Sequence, residues 1–219
     1  MSKTNIQQRE QRWALMPRAA AKIESRMDGD HPVLINGYGV VYYDPKDAGT
    51  EYRVDIDMVE RFRPGCFDKF LASNRDCFCC PYHDERRVLG RRSALLELHS
   101  DQRGVRYSLP FDESDPDHVA IGAKMRRGDV SGSSADFLVL AEEWRRDEGT
   151  DLITREIIEA ELFHLGPVIG EAYQATTAEV RTADGGWSQI QERKAAFLAS
   201  EEDGADELLI EIDCLLLDD

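Results

Sequence analysis

A mixed α+β fold, mostly short strands with about three helices, is what this sequence predicts. Three observations carry that expectation. Runs of β-branched and aromatic residues recur from Val33 onward, separated by turns rich in glycine, proline and aspartate. A segment that opens Asp115-Pro116 and stops at Gly128 carries the start and stop signals of a helix. Apolar residues make up 42% of the 219 positions, enough for a real core in one main domain.

Taken in order, residues 1–30 are polar and charged and read as an N-terminal arm, with a short helix over "QQREQRWALM" and the turn-rich "DGDHP" at its end. Next, "VLINGYGVVYYD" and "EYRVDIDMV" have strand character and are joined by the turn residues "DPKDAG", which predicts a hairpin. "RPGCFDKFLAS" reads as a turn and short helix, and "CFCCPYH", "SALLELHS" and "GVRYSLPF" as three further strands. After the capped helix "HVAIGAKMRRG", strand patterning resumes in "ADFLVLAEEW" and "LITREIIEAELFHLGPV" around the turn "RRDEGTD". The main domain is expected over 31–182. Residues 183–219 stand apart, as a helix over "GGWSQIQERKAAFLAS" and an acidic tail with two apolar clusters. That tail is either solvated or a docking segment that orders on a partner.

A formal charge of -16 leaves no excess of positive charge for a phosphate backbone, so nucleic acid is not an expected partner. No apolar run approaches the roughly 18 to 20 residues that span a bilayer, and the opening stretch has no signal-peptide core. A cytoplasmic chain without a membrane partner is expected. The odd count of five cysteines argues for free thiols. In "CFCCPYH" three thiols and His83 lie within seven residues, but the spacing is not that of a zinc site; buried thiols on a strand explain it, and no metal or cofactor is expected.

The stretch "RRGDVSGSSADF" places Ser131, Ser133 and Ser134 just before an apolar run. A serine hydroxyl becomes a useful nucleophile only when a neighbouring base removes its proton. Five histidines are candidates: His31 in the linker, His99 before a charged turn and His118 in the capped helix read as surface residues. His83 ends a strand-like run before "DERRVLGR" and can present its imidazole at a sheet rim. It can equally be a rim histidine bonded to Asp84 or to the "ERR" turn.

The order of these pieces resembles the prohead serine proteases of tailed bacteriophages. That family shows "G-x-(apolar)", "I-x-P-G-A-F-x-x-x-L", "H-(D/N)-x(4,5)-L-G", "GL-x-(apolar)", a glycine-led "S-x-x-F" segment and "L-x-E-(V/I)-S". This chain offers "NGYGVVYYD", "FRPGCFDKFL", "YHDERRVLGR", "GVRYSLPF", "RRGDVSGSSADF" and "ELFHLGPVIGEAY" in the same order, over about 33–181. The resemblance implies a herpesvirus-protease-like fold, a mainly antiparallel β-barrel with flanking helices. It assigns the nucleophile to Ser134 and the general base to His83. Strand parity agrees, because Ala135, Phe137 and Val139 would share a face with Ser133 and leave Ser134 on the other.

Where the family usually carries a glutamate, this chain has His164; the following serine is Gly166, and the "P-A-Y" run is Glu171-Ala172-Tyr173. Ser-His-His is the triad of the herpesvirus assemblins, which the phage family resembles, so His164 would orient His83. Alternatively, the lost carboxylate marks a weakened or inactive relative. Glu161 could substitute only if a bulge corrected its parity. The implied activity is a serine endopeptidase inside the assembling prohead, in the host cytoplasm. Its substrates would be scaffold protein or the scaffolding segment of the major capsid protein, and itself. A homo-oligomer is left open, and activity is expected to fall below about pH 6 to 7 as imidazoles protonate. The competing reading is a non-catalytic assembly or scaffold protein on the same fold.

Overall fold

A computed structural model describes residues 10–12, 21–25, 32–147, 149–169, 186–202 and 207–211. Strands β1 (Glu10–Arg12), β2 (Ala21–Ser25), β3 (Pro32–Val41), β4 (Tyr52–Asp55) and β5 (Met58–Phe62) come first. Helix α1 (Asp68–Ala72) and the strands β6 (Phe78–Cys79), β7 (Gly90–Arg91), β8 (Glu97–Ser100) and β9 (Gly104–Pro110) follow. Helix α2 (Pro116–Arg127) leads into the two longest strands, β10 (Gly132–Arg146) and β11 (Ile153–Val168), and α3 (Gly186–Glu202) and β12 (Glu207–Glu211) complete the order. The chain is therefore α+β and mostly sheet, with three α-helices among the described residues.

The strands divide between two sheets. The larger runs β1-β10-β11-β5-β4, with β12 also on β10 and β6 with β7 on β11, and the smaller runs β2-β3-β9-β8. Among the described residues no ladder joins the two, so the closed barrel implied by the family resemblance is not found, and β11 pairs in parallel with both β5 and β6. The sheets meet by close packing instead: a Cβ on Gly39 of β3 would stand 2.9 Å from Leu165 Cδ2 of β11.

Three local expectations are corrected. The first strand does not form a hairpin with "EYRVDIDMV". From Ile35 to Gly37 and from Gly39 to Val41 it is buried, which suits a central strand between β2 and β9, and β4 pairs with β5 instead. The β4–β5 turn is Ile56-Asp57, where the Ile56 N–H donates to Asp55 Oδ1 at 2.7 Å. Its exposed isoleucine disguised it as strand. At the N-terminus, Glu10–Arg12 is a strand on Phe137–Ala135 rather than helix, because the ladder edge of β10 outweighs local helix propensity. In the tail, Glu207–Glu211 is a strand on Ala141–Arg145, with Leu208 and Ile210 half-buried between exposed neighbours. The alternation that seats it was present in "ELLIE" but hidden by the surrounding acids.

The core sits between the sheets and under the helices. Phe62 meets Phe137 edge to face with ring centroids 5.1 Å apart, and Phe67 adjoins both. α3 buries Ile190 and Phe197, the latter against Trp144 of β10. Beside Trp144, the buried Arg155 is held by the equally buried Glu60 and Glu142, and Arg193 of α3 also reaches Glu142. The cysteines of "CFCC" are buried as expected, although only Phe78–Cys79 is strand, and burial pushes the Cys77 and Cys80 thiols up to about 12. None of the described helices is long and apolar enough to cross a membrane.

Candidate active site

Helix α2 delivers the serine stretch. Asp115 caps its first turn by accepting the Asp117 N–H, Pro116 occupies the first position, and Gly128 ends it at φ 81°, a left-handed conformation that glycine adopts without strain. Four residues on, β10 begins, and period-two alternation sorts its side chains. Ser133 faces the core, where its hydroxyl lies 2.8 Å from that of Tyr107. Ser134 faces the other way, as parity predicts, yet is itself only 1% exposed.

Across the ladder, Ser134 pairs with Gly166 and Asp136 with His164. The next pair, Phe137 with Leu162, skips Phe163, so a bulge sits there. It allows Leu162 to turn to the core with Phe137 while His164, two residues on, faces the site with Asp136. The same bulge gives Glu161 the partner Leu138, on the face of Ser134 and Asp136, but its carboxylate pairs with Arg75 rather than with a histidine.

His83 arrives on a different element. β6 runs parallel to β11, with His164 opposite Phe78 and Leu165 opposite Cys79, and the Cys80 N–H donates to the Leu165 carbonyl at 3.0 Å. Pro81 then opens a single 3-10 turn in which both Tyr82 and His83 hold φ 58°. Two successive non-glycine residues in that region cost of order 1–3 kcal/mol each and persist only where surrounding contacts impose them. The result aims the ring of His83 between the two strands.

His83 Nε2 stands 2.8 Å from Ser134 Oγ, and His83 Nδ1 stands 2.8 Å from His164 Nε2. Both distances lie inside the range for nucleophile-to-base and base-to-orienter contacts. His164 is fully buried and its ring stacks on Phe78, centroids 5.2 Å apart. Burial, and secondarily the neighbouring His164, bring His83 down to about 4, so its ring is neutral at physiological pH and able to accept a proton.

Of the other candidates, Ser131 precedes β10, His99 is exposed, and His31 and the run Glu171-Ala172-Tyr173 lie outside the described residues. His118, expected at the surface, is buried. Its Nδ1 accepts the Asp112 N–H and its Nε2–H donates to the Leu89 carbonyl at 2.7 Å, so it ties α2 to the loop before β7.

Asp136 is the residue that sequence reasoning passed over. Fully buried, it brings Oδ2 to 3.6 Å from His164 Nδ1, and Glu85 Oε1 lies 3.8 Å from the same nitrogen. The signal was available in the spacing, since Asp136 follows Ser134 by two and must share its strand face. Glu85, Asp136 and His164 also offer donor atoms within 4.8 Å of one another, the one set among the described residues that could hold a metal ion.

The line from Ser134 through His83 to His164 coincides with a family match: a model described as caudovirus prohead serine protease matches residues 20–187. The chain belongs to this family. Its members are capsid-maturation proteases of tailed bacteriophages, acting on capsid proteins within the assembling capsid. The match begins at β2 and ends inside α3, so it reaches further in both directions than the motifs do. No curated protein and no solved structure matches the chain.

Proposed function

We propose that this chain is a serine endopeptidase of prohead maturation in which Ser134 is the nucleophile, His83 the general base and His164 the orienter of His83. The unbroken line of 2.8 Å contacts through these three side chains carries the reading. Ser134 Oγ attacks the scissile carbonyl as its proton passes to His83 Nε2. The C–N bond then breaks, His83 returns that proton to the leaving amine, and an acyl ester remains on Ser134. Water, deprotonated by the same nitrogen, releases the acid. This chemistry calls for no metal or cofactor.

The substrates in this reading are scaffold protein or the scaffolding segment of the major capsid protein, cut inside the prohead in the host cytoplasm. Self-cleavage has a structural motive: Arg12 of β1 pairs with Ala135, one residue past the nucleophile, and the Ala21 N–H at the start of β2 donates to the Ser131 carbonyl. Arg12 and Ala21 are therefore both held against the 131–135 segment that carries Ser134. Two sheets around a common core are also what a herpesvirus-protease-like barrel plan would use as walls. A non-catalytic scaffold would have no use for two strained residues that aim His83 at a buried serine.

A fluorophosphonate probe followed by peptide mapping tests this, run with co-expression of the capsid protein and intact mass. Labelling at Ser134, and cleavage lost in Ser134→Ala, is the expected result; a folded protein that neither labels nor cleaves would refute it. His83→Ala should be as severe as Ser134→Ala and the double variant hardly worse, because members of a triad act as a unit.

A further inference from the structure

We propose that Asp136 is a positioning residue that fixes the tautomer of His164, so that the catalytic line continues from Ser134 through His83 and His164 to a buried carboxylate. The inference rests on the reading of Ser134, His83 and His164 given above.

Proton bookkeeping along the line requires such a group. If Ser134 donates to His83 Nε2, the neutral ring of His83 carries its proton on Nδ1 and needs an acceptor 2.8 Å away, at His164 Nε2. His164 must then keep Nε2 bare and carry its own proton on Nδ1. Of the groups that stand against His164, His83 and Phe78 carry no negative charge, and the carboxylates are those of Asp136 and Glu85. Both lie on the Nδ1 side, at 3.6 Å and 3.8 Å. These separations exceed a hydrogen bond, so the effect is the attraction of a carboxylate for an N–H dipole and for the positive charge that develops when the pair takes up the serine proton.

Burial decides between the two acids. The Glu85 side chain is 52% exposed, whereas Asp136 is fully buried beside a fully buried ring. Water screens the first far more than the second. Register points the same way: Asp136 and His164 are direct cross-strand partners held by the ladder, while Glu85 lies in the turn after His83. A carboxylate kept from water is costly unless donors or cations face it, and the imidazole of His164 is one group that does.

Nitrogen-15 NMR of histidine-labelled wild type at neutral pH tests the assignment directly. The expected spectrum has His164 protonated at Nδ1 and bare at Nε2; the opposite tautomer overturns the proposal. Asp136→Asn places an amide donor against Nδ1 and should favour the wrong tautomer, lowering kcat about 10- to 100-fold with KM unchanged. Its acid limb should move to lower pH, since a negative charge that favoured the protonated pair is gone. Glu85→Gln should cost several-fold less. An Asp136→Asn enzyme with wild-type kcat and pH profile refutes the positioning role, as does a Glu85→Gln variant that loses more. If Asp136→Asn does not fold, the wild-type tautomer alone decides. Failure of the underlying reading looks different, because fluorophosphonate would then not label Ser134 in the wild type.

Discussion

Gly166 stands opposite Ser134 on the β10–β11 ladder, and a Cβ added to it would lie 2.1 Å from the carbonyl oxygen of Cys80. This close approach lets the segment carrying His83 lie against β11, three residues before the imidazole reaches the serine. The serine expected here from the family pattern would collide with that backbone. The departure at Gly166 therefore belongs with the way this chain places His83 beside Ser134.

Gly166→Ala should push the 80–83 segment off β11 and break the 2.8 Å contact between His83 and Ser134. We expect a loss of activity of at least about a hundredfold, because small displacements of catalytic groups are costly. Peptide hydrolysis and a melting curve check this; unchanged turnover would mean that His83 does not depend on this approach.

Ser133→Ala should separate stability from chemistry. It removes the hydroxyl partner of the fully buried Tyr107, a change of about 1 kcal/mol, while leaving the opposite face of β10 untouched. Chemical denaturation should report the loss and fluorophosphonate labelling of Ser134 should persist. Ser134→Ala should show the reverse pattern.

The pH profile should differ from the one that an ordinary histidine would produce. With His83 brought down to about 4 by burial, its ring stays neutral well below pH 6, so the acid limb of kcat/KM should fall near 4 rather than at the expected 6 to 7. The sign for stability follows from the same depression. Between about 4 and 6.5 the unfolded chain binds a proton at this site that the folded chain refuses. Stability therefore drops as pH falls from 6.5 toward 4, and this site adds no further pH dependence below that. Denaturant midpoints at pH 4.5 and 7, compared with those of His83→Gln, measure the contribution.

Removal of residues 183–219 should damage the fold. The deletion strips α3 and β12, exposing Trp144 and taking Ile190 and Phe197 out of the core. It also takes Arg193 from the buried pair of Glu142 and Arg155. Losing two large core side chains alone costs several kcal/mol by analogy with large-to-small substitutions. An aggregated or molten truncation product is the expected outcome, and a cooperative, soluble core of unchanged melting temperature would show that α3 is an accessory.

Much of this molecule was legible from local chemistry. The Asp115-Pro116 start and Gly128 stop define α2 because caps are satisfied within one turn of chain. The inward alternation of Ser133, Ala135, Phe137 and Val139 assigns Ser134 to the opposite face because strand periodicity is a property of the backbone itself. Motif order then singled out His83 and His164, and two contacts of 2.8 Å join His83 to Ser134 and His164 to His83. What only the tertiary structure decided is who pairs with whom. "VLINGYGVVYYD" and "ELLIE" show strand character but not the partners, β2 and β9 for one and β10 for the other, since ladder energies are made between chain segments far apart in sequence. The same holds for Asp136. Its strand face could be read from Ser134, but its place beside His164 depends on a register and on a bulge at Phe163, and register is a relation between two strands that neither strand encodes alone.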